Sequence, residues 1–587
     1  MPIEHSIPDF LPWLPQALLH WGGAILAVFG FMLVAGWIWA TLYRSGNVRA
    51  GTMRIATILR DAVEDVALIS PRRVGAVVRL VILESLRNWV LLVFLLFAAI
   101  LLFAGWFLDP KSSEPARLYL NFVFSTTSYL ILLLMLLLTV FSIPNDIRRH
   151  TIYTVVTKPL RMSELVVGRF LGFVAVGSVL LVLMGTVSYF FVLQGLQHTH
   201  TLTADDLHSV DDTQAMEGYT QETRGHKHRV YIDADGNAVV DAAARHTHDL
   251  TVTDDGRYIL SGPRNQLVAR VPLYGDISFR GRQGTDQKKG LSVGEEWEYR
   301  SYIEGGTEGA IIWTFDDMRS RNFPGDVIPV EMNISIFRTH KGRIDRGVMG
   351  SLAVRNPETG LTVEMPAFEA KEFQVYETAI PKKFVQNEDG RNFTSARIIQ
   401  RTGVDPKTGK MYQTPESADL SLAQKTEFDL MEDLVSSDGK VEIWLRCLES
   451  GQYFGAAQAD LYLRVGDRPF WLNFIKGYAG IWFQMTLIIG FGVMFSTFLS
   501  APIAILATSG VMIGGLFHDF LVEIGMHPKY GGGPVESLIR IVTQANMVSD
   551  LADSPGVNLA KALDRGLEWW LLQLSHVIPP LPRFGLG

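Results

Sequence analysis

Three pairs of histidines are the residues whose type and spacing best suit chemistry in this sequence. Each pair reads His-x-His, and the pairs are His198 with His200, His226 with His228, and His246 with His248. Residues i and i+2 of a β-strand face the same side, so the two imidazoles of a pair would be neighbours. Neighbouring imidazoles suit Zn²⁺ or Cu²⁺. We therefore predict a zinc or copper site, and no other cofactor, at His226, His228, His246 and His248. The alternative is a solvent-facing polar edge.

Two of these pairs belong to an internal repeat. Residues 226–236 match residues 246–256, and each copy runs from His-x-His through an apolar run to Asp-Gly and a second apolar run. Asp-Gly between apolar runs is a strong β-hairpin signal. The repeat therefore predicts a duplicated hairpin over residues 226–260.

Motifs for other chemistry are missing from the sequence. It contains no G-x-x-x-x-G-K-[ST] phosphate-binding loop, no H-E-x-x-H and no G-x-S-x-G. The single cysteine, Cys447, excludes an internal disulfide and a cysteine zinc site, and we interpret it as a small buried residue. We predict that the chain is not an enzyme and has no nucleic-acid partner.

The elements that must position the histidines fall into an apolar part and a polar part. The chain has 587 residues and a net charge of -7, but charge and apolarity lie in different places. A membrane-spanning helix takes about 20 mainly apolar residues. Six stretches are predicted to span, namely residues 21–42, 89–108, 119–141, 170–193, 478–499 and 502–524. Acidic residues precede the first stretch and arginines follow it, which favours an anchor over a cleaved signal peptide.

The distribution of basic residues predicts the orientation in the membrane. Residues 43–88 and 142–169 are rich in arginine and lysine, so both loops are expected in the cytoplasm. Alternation of the spans then places residues 197–474 outside. We predict a multi-pass protein of a bacterial inner (plasma) membrane with its large domain outside the cytoplasm.

The sequence pattern of residues 197–474 is typical of a strand-rich domain. Apolar and polar residues alternate at 267–273, 330–337 and 441–446, which is typical of half-buried strands. We predict a mainly-β, sandwich-like or jelly-roll-like extracytoplasmic domain inserted into a membrane α-helical bundle of about six spans.

The loop 142–169 is the most informative connection between two spans. Its pattern predicts an amphipathic helix, a Thr-Lys-Pro break, and a second helix with Ser163 as a candidate N-cap. Two interpretations stand side by side, a docking surface for a cytosolic protein and a plain basic connector.

This loop resembles the corresponding loop of ABC-2-type permeases, the membrane subunits of type V ABC transporters. The family pattern is an acidic residue, Gly-Thr, [Ser/Thr]-Lys-Pro, Arg, Glu and Gly-[Lys/Arg]-x-x-Gly. The matching residues are Asp146, Thr151, Thr157, Lys158, Pro159, Arg161, Glu164, Gly168, Arg169 and Gly172. His150 stands where the family has glycine. The resemblance covers the membrane part only.

The resemblance implies a permease subunit of an ABC-type exporter, driven by a separate cytosolic ATPase chain. The implied ATPase-coupling loop uses Asp146, Arg148, Arg149, Thr151, Lys158, Pro159, Arg161, Glu164, Gly168 and Arg169. Homodimers or heterodimers of permease chains in the lipid bilayer are also implied. The alternatives are a membrane-anchored extracytoplasmic binding or metal-sensing module, and a mechanotransmission complex that moves no substrate.

Four regions follow from this interpretation. Residues 1–43 form an extra N-terminal anchor, 44–196 the first permease half, 197–474 the extracytoplasmic domain, and 475–587 the second half. The second half holds two spans and an outer amphipathic or re-entrant segment. The family has six spans, and five predicted spans follow the extra N-terminal anchor in this sequence. We therefore expect the sixth span beyond residue 587 or from a partner chain.

Overall fold

The computed structural model describes most of the chain. The described residues are 10–45, 47–87, 90–104, 108, 115–148, 150, 160–209, 215–233, 238–241, 243, 246–252, 258–264, 266–287, 289–291, 300–339, 346–372, 375–385, 393–399, 402–404, 411–413, 425–526, 532–545, 551 and 554–581. The chain divides into two compact units. One comprises Leu26–Leu267 with Phe470–Gly587, and the other comprises Val268–Pro469 with Met1–Ile25.

Helices occupy both ends of the sequence. The first group is α1 (Phe10–Trp39), α2 (Val48–Ala67), α3 (Pro71–Arg87), α4 (Val90–Ala104), α5 (Pro115–Arg148) and α6 (Met162–Leu196). The second group is α7 (Phe470–Ser496), α8 (Ala501–Leu516), α9 (His518–Met526), α10 (Pro534–Thr543) and α11 (Pro555–Val577). A π-helical turn, Ala40–Ser45, follows α1.

Three helices in the described part of the chain, α5, α6 and α7, are long and apolar enough to span a membrane. A fourth span exists if α3 and residues Leu92–Ala104, bent by 51° at their junction, act as one. The described residues therefore contain three to four candidate membrane spans, and six spans are not shown. The predicted span 502–524 is divided at Phe517 into α8 and α9, and Phe29–Leu42 is a shorter apolar helix.

The spanning helices pack through their apolar faces and a few internal hydrogen bonds. Ile131, Met135, Met184 and Met485 are fully buried in one core formed by α5, α6 and α7. Thr127 Oγ1 lies 3.1 Å from Tyr478 Oη within this core. Hydrogen bonds of this kind, together with close packing, hold helices together where lipid offers no hydrophobic driving force between them.

A small β region follows α6 in the same unit. Its strands are β1 (His200–Leu202), β2 (Leu207–Ser209), β3 (Met216–Tyr219), β4 (Arg229–Ile232), β5 (Ala238–Val240), β6 (Leu250–Val252) and β7 (Tyr258–Leu260). They form two antiparallel sheets in the orders β2-β3-β4-β5 and β1-β7-β6. The pairings β4–β5 and β6–β7 confirm the duplicated hairpin. Both predicted Asp-Gly turns lie outside the described residues.

The second unit contains the remaining strands. They are β8 (Val268–Tyr274), β9 (Asp276–Arg280), β10 (Asp286–Gln287), β11 (Ser301–Glu304), β12 (Ala310–Phe315), β13 (Val327–Asn333), β14 (Ser335–Arg338), β15 (Val348–Arg355), β16 (Leu361–Glu364), β17 (Phe368–Ala370), β18 (Val375–Pro381), β19 (Lys383–Val385), β20 (Ser395–Ile398), β21 (Thr402–Val404), β22 (Met411–Gln413), β23 (Glu427–Asp429), β24 (Val441–Cys447), β25 (Gln452–Ala456) and β26 (Leu461–Pro469).

These strands form several antiparallel sheets around a shared core. The largest has the order β10-β9-β12-β24-β15-β16-β20, with β17 paired to β15, and a second has the order β18-β13-β26-β8. Fully buried residues of both sheets, among them Phe315 and Val330, belong to one hydrophobic core. The prediction of a large mainly-β region is confirmed, and the three predicted strands correspond to β8, to β13 with β14, and to β24. Cys447 is buried in β24, as predicted.

Candidate metal centre and the base of the 142–169 loop

The structure brings all three His-x-His pairs into one cluster, the six-His cluster, defined as His198, His200, His226, His228, His246 and His248. Each pair lies at or close to the start of a strand, because His200 begins β1, the second pair directly precedes β4, and the third pair ends two residues before β6 begins. In each of the three segments, the residue two positions after the second histidine is apolar. Leu202 and Val230 at this position are fully buried in a small core, and Leu250 packs against it.

Five of the six histidines are removed from solvent, and His226 is partly exposed. His200 and His228 are fully buried, and His246, His248 and His198 are 1%, 4% and 9% exposed. Lys227, between the second pair, is exposed, as strand alternation requires. The alternative of a solvent-facing polar edge is therefore wrong.

Backbone carbonyls determine which ring nitrogen carries the proton in five of the histidines. The five bonds join Nδ1 to a carbonyl oxygen, from His198 to Leu196 at 2.9 Å, His200 to Gln221 at 3.2 Å, His226 to Arg224 at 3.4 Å, His228 to Asp241 at 2.9 Å, and His248 to Ser261. A carbonyl oxygen can only accept, so Nδ1–H must donate. Each Nε2 then carries the lone pair.

Ligand nitrogens of five histidines, all but His228, lie within 4.8 Å of one another, and the ring of His228 lies 4.7–5.2 Å from the rings of four of them. Nε2 of His198 lies 3.0 Å from that of His246 and 3.3 Å from that of His226, and the latter two are 3.1 Å apart. Nε2 of His200 is 3.2 Å from that of His226. The Nε2 atoms of His228 and His248 are buried without a hydrogen-bond partner. The arrangement offers lone pairs to a cation at the centre.

Burial also favours the neutral form of five of the histidines. Desolvation lowers the pKa of His198 and His200 to about 4, and neighbouring imidazoles add to the effect. It lowers the pKa of His226, His228 and His248 as well. Neutral imidazole is the form that binds metals.

The four histidines predicted as ligands are thus brought together, and His198 and His200 join them. The predicted site does not include this third pair, because His198 and His200 lie outside the repeated hairpin. The signal that could have included it is the shared pattern His-x-His-x-apolar, which ends in Leu202, Val230 and Leu250.

The cluster is attached directly to the end of α6. His198 bonds to the carbonyl of Leu196, the last residue of this helix, and Arg224 donates to Gly195 O at 2.6 Å. Helix α6 has 35 residues, which corresponds to about 50 Å at 1.5 Å per residue. One continuous helix therefore connects the cluster to the 142–169 loop.

The other end of α6 is fixed by a buried carboxylate. Glu164 is fully buried, and its Oε1 accepts from Arg73 Nη2 at 2.7 Å and from the backbone N–H of Ser70 at 2.8 Å. Its Oε2 accepts from the backbone N–H of Arg161 at 3.0 Å. Glu164 thereby caps α6 at residue 161 and ties it to α3. Ser163 is not the cap, because its hydroxyl donates to Asp65 O.

Two glycines of the family pattern let α3 and α6 approach closely. A Cβ at Gly168 would lie 2.6 Å from Val77 Cβ, and one at Gly172 would lie 2.7 Å from Val81 Cβ. Arg169, between them, is 3% exposed and pairs with Asp146 of α5. These residues therefore join α3, α5 and α6 at the base of the loop.

The remaining predicted coupling residues lie at the loop itself. Arg148, in the last turn of α5, is exposed, and Arg161 Nη1 lies 2.6 Å from Asp65 Oδ1 of α2. Arg149, Thr151, Lys158 and Pro159 lie outside the described residues.

His150 has a backbone conformation that suits glycine better. Its φ is +58°, in the left-handed region that glycine enters without strain.

Comparisons of the chain with protein-family models, with curated proteins and with solved structures find no match.

Proposed function

We propose that this chain is the membrane permease subunit of an ABC-type exporter, with a separate ATPase chain docking on the 142–169 loop. The observation that carries the proposal is the base of that loop. Five of the residues that match the permease pattern join α3, α5 and α6, through Glu164 with Arg73, Asp146 with Arg169, and the contacts of Gly168 and Gly172. The finer architecture that we propose has six spans and a β-sandwich outside the membrane.

A loop with such a base can transmit force. Both of its flanking helices, α5 and α6, are held by ion pairs with buried or largely buried members, so a push on residues between them would move the helices rather than bend the loop. The 35-residue helix α6 carries any such movement to the region that begins at His198. These features favour coupling to a moving partner over a plain basic connector.

Charge reversal at the loop tests the docking. Arg148 is exposed and has no role in the base, so Arg148→Glu should leave the fold intact and weaken the complex with a co-expressed ATP-binding-cassette ATPase encoded beside this chain at least tenfold. The matched control is Arg54→Glu, the same change on the exposed side of α2. An unchanged amount of co-purified ATPase in the Arg148 variant, at equal yield, would remove the docking role.

The second candidate is a membrane-anchored binding or metal-sensing module. The six-His cluster favours it, because this site needs no ATPase. The two candidates differ in one measurement. A permease should show ATP hydrolysis by its partner that depends on this chain in proteoliposomes, whereas an anchored module should not.

A further inference from the structure

We propose that the six-His cluster binds one divalent transition-metal ion in six-coordinate geometry, as a resident structural centre at the end of α6. The inference does not depend on a transport function. It goes beyond a four-ligand zinc or copper site in the number of ligands, in the choice of metal and in the role of the ion.

The first argument is the mutual position of the six rings. Each ring centroid lies 4.7–5.2 Å from the centroids of four others. Among these six described rings, the pairs outside that range are His198 with His228, His200 with His246, and His226 with His248. Every ring thus has four neighbours and one opposite, which is the connectivity of an octahedron.

The second argument is distance. The first histidines of the three pairs, His198, His226 and His246, form one triangular face with Nε2–Nε2 distances of 3.0–3.3 Å. With a metal–nitrogen distance of about 2.1 Å, adjacent ligand atoms are about 3.0 Å apart in an octahedron and about 3.4 Å in a tetrahedron. A tetrahedron also has room for only four of the ligands.

The third argument is the direction of the protons. Because Nδ1–H of five histidines donates to a carbonyl, the Nε2 atoms of those five carry lone pairs and cannot donate hydrogen bonds to one another. Lone pairs at about 3 Å in a dry site repel unless a cation lies between them. A second ring nitrogen that donates to a backbone carbonyl is also the usual support of a metal-binding histidine.

The number of ligands selects the metal. Zn²⁺ in structural sites is almost always four-coordinate, and Cu²⁺ prefers tetragonal geometry. Six equivalent imidazoles therefore favour Fe²⁺, Co²⁺ or Ni²⁺ over both. No coordination position is left for water or substrate, so the ion is expected to hold structure rather than to catalyse or to pass through.

The structural need for such an ion is visible in the surrounding fold. The β1–β7 region has short strands, and the described part of its core contains four buried apolar side chains, Leu202, Val230, Ile232 and Leu260. Regions with so small a core usually depend on a metal or a disulfide. The ion would join the starts of β1, β4 and β6, which belong to two separate sheets.

The test uses the full chain, purified in detergent with a tag that contains no histidine, from cells supplied with iron, cobalt, nickel, zinc and copper. Elemental analysis should find one ion of iron, cobalt or nickel per chain. X-ray absorption at the edge of that metal should show six nitrogen neighbours. Four neighbours, or zinc or copper as the bound ion, would overturn the six-coordinate assignment, and a chain without stoichiometric metal would overturn the site itself.

Histidine variants test whether the ion binds in the six-His cluster. His226→Ala with His246→Ala should lower the bound metal at least tenfold, whereas His208→Ala, an exposed histidine in β2 outside the cluster, should not change it. Because the double variant can also lose its fold, the wild-type chain is stripped with a chelator and titrated with Co²⁺. A weak visible spectrum, typical of six-coordinate Co²⁺, is expected. Strong bands of tetrahedral Co²⁺, or metal retained by the double variant, would contradict the proposal.

Discussion

Removing the carboxylate of Glu164 should destabilise the helical unit more than removing its partner Arg73. Glu164 is fully buried and accepts hydrogen bonds from Arg73 and from the backbone N–H groups of Ser70 and Arg161. A hydrogen bond to a charged group contributes about 1.5–3 kcal/mol, and loss of a helix cap costs about 1 kcal/mol. Glu164→Ala should therefore lower the free energy of unfolding by about 3–4 kcal/mol.

Arg73→Ala should cost less for a reason that the structure also shows. The side chain of Arg73 is 38% exposed, and Glu164 keeps its two backbone donors when the guanidinium is removed. We expect a loss of about 1–2 kcal/mol. In the double variant the two losses should not add, and the coupling between the sites should be about 1–2 kcal/mol.

The assay is unfolding of the full chain in mild detergent by added denaturing detergent, followed by tryptophan fluorescence. The control is Glu64→Ala, because Glu64 is 48% exposed and lies 3.4 Å from Arg161, which predicts a change within about 0.5 kcal/mol. The reasoning fails if Glu164→Ala behaves like this control, or if the losses at the two sites of the ion pair simply add.

Four further predictions concern single positions. Gly172→Ala should destabilise the helical unit by about 1–3 kcal/mol, because its Cβ would overlap a valine of α3. Gly75→Ala in α3, where a Cβ meets nothing within 4 Å, should be neutral or stabilising by up to about 1 kcal/mol in the same unfolding assay. His150→Gly should stabilise the chain by about 1 kcal/mol, since φ is positive there, and a lower stability would show that the strain is not local. Cys447 should resist alkylation at pH 8 until the protein unfolds. Burial raises the pKa of its thiol to about 11, so about one thiol in a thousand is ionised, and rapid native labelling read by mass spectrometry would contradict this.

Much of the local structure could be predicted because its signals have short range. The alternation of apolar residues depends on neighbours two positions apart, and it located β8, β13 and β24. The duplicated hairpin was predictable for the same reason, since each copy is complete within about 15 residues. Apolar length likewise indicated the spanning helices α5, α6 and α7.

Ser163 shows why short-range signals also failed. A serine beside the first helical residues predicts an N-cap, but the cap of α6 comes from Glu164, whose carboxylate is oriented by Arg73 on a different helix. The predicted span 502–524 is another example. It is apolar up to Phe517, where the helix is interrupted, and the polar residues His518 and Asp519 follow directly.

The histidine spacing by itself determined that imidazoles would lie in pairs on one face of a strand, and that two pairs would be related by a repeat. Only the tertiary structure decided that all three pairs share one point, with Nδ1 turned to backbone carbonyls and Nε2 turned inward. The physical reason is range. The spacing within a pair follows from the two-residue period of a strand, whereas the meeting of His198, His226 and His246 depends on how two sheets pack at the end of α6. The number of histidines that meet is therefore a property of the fold.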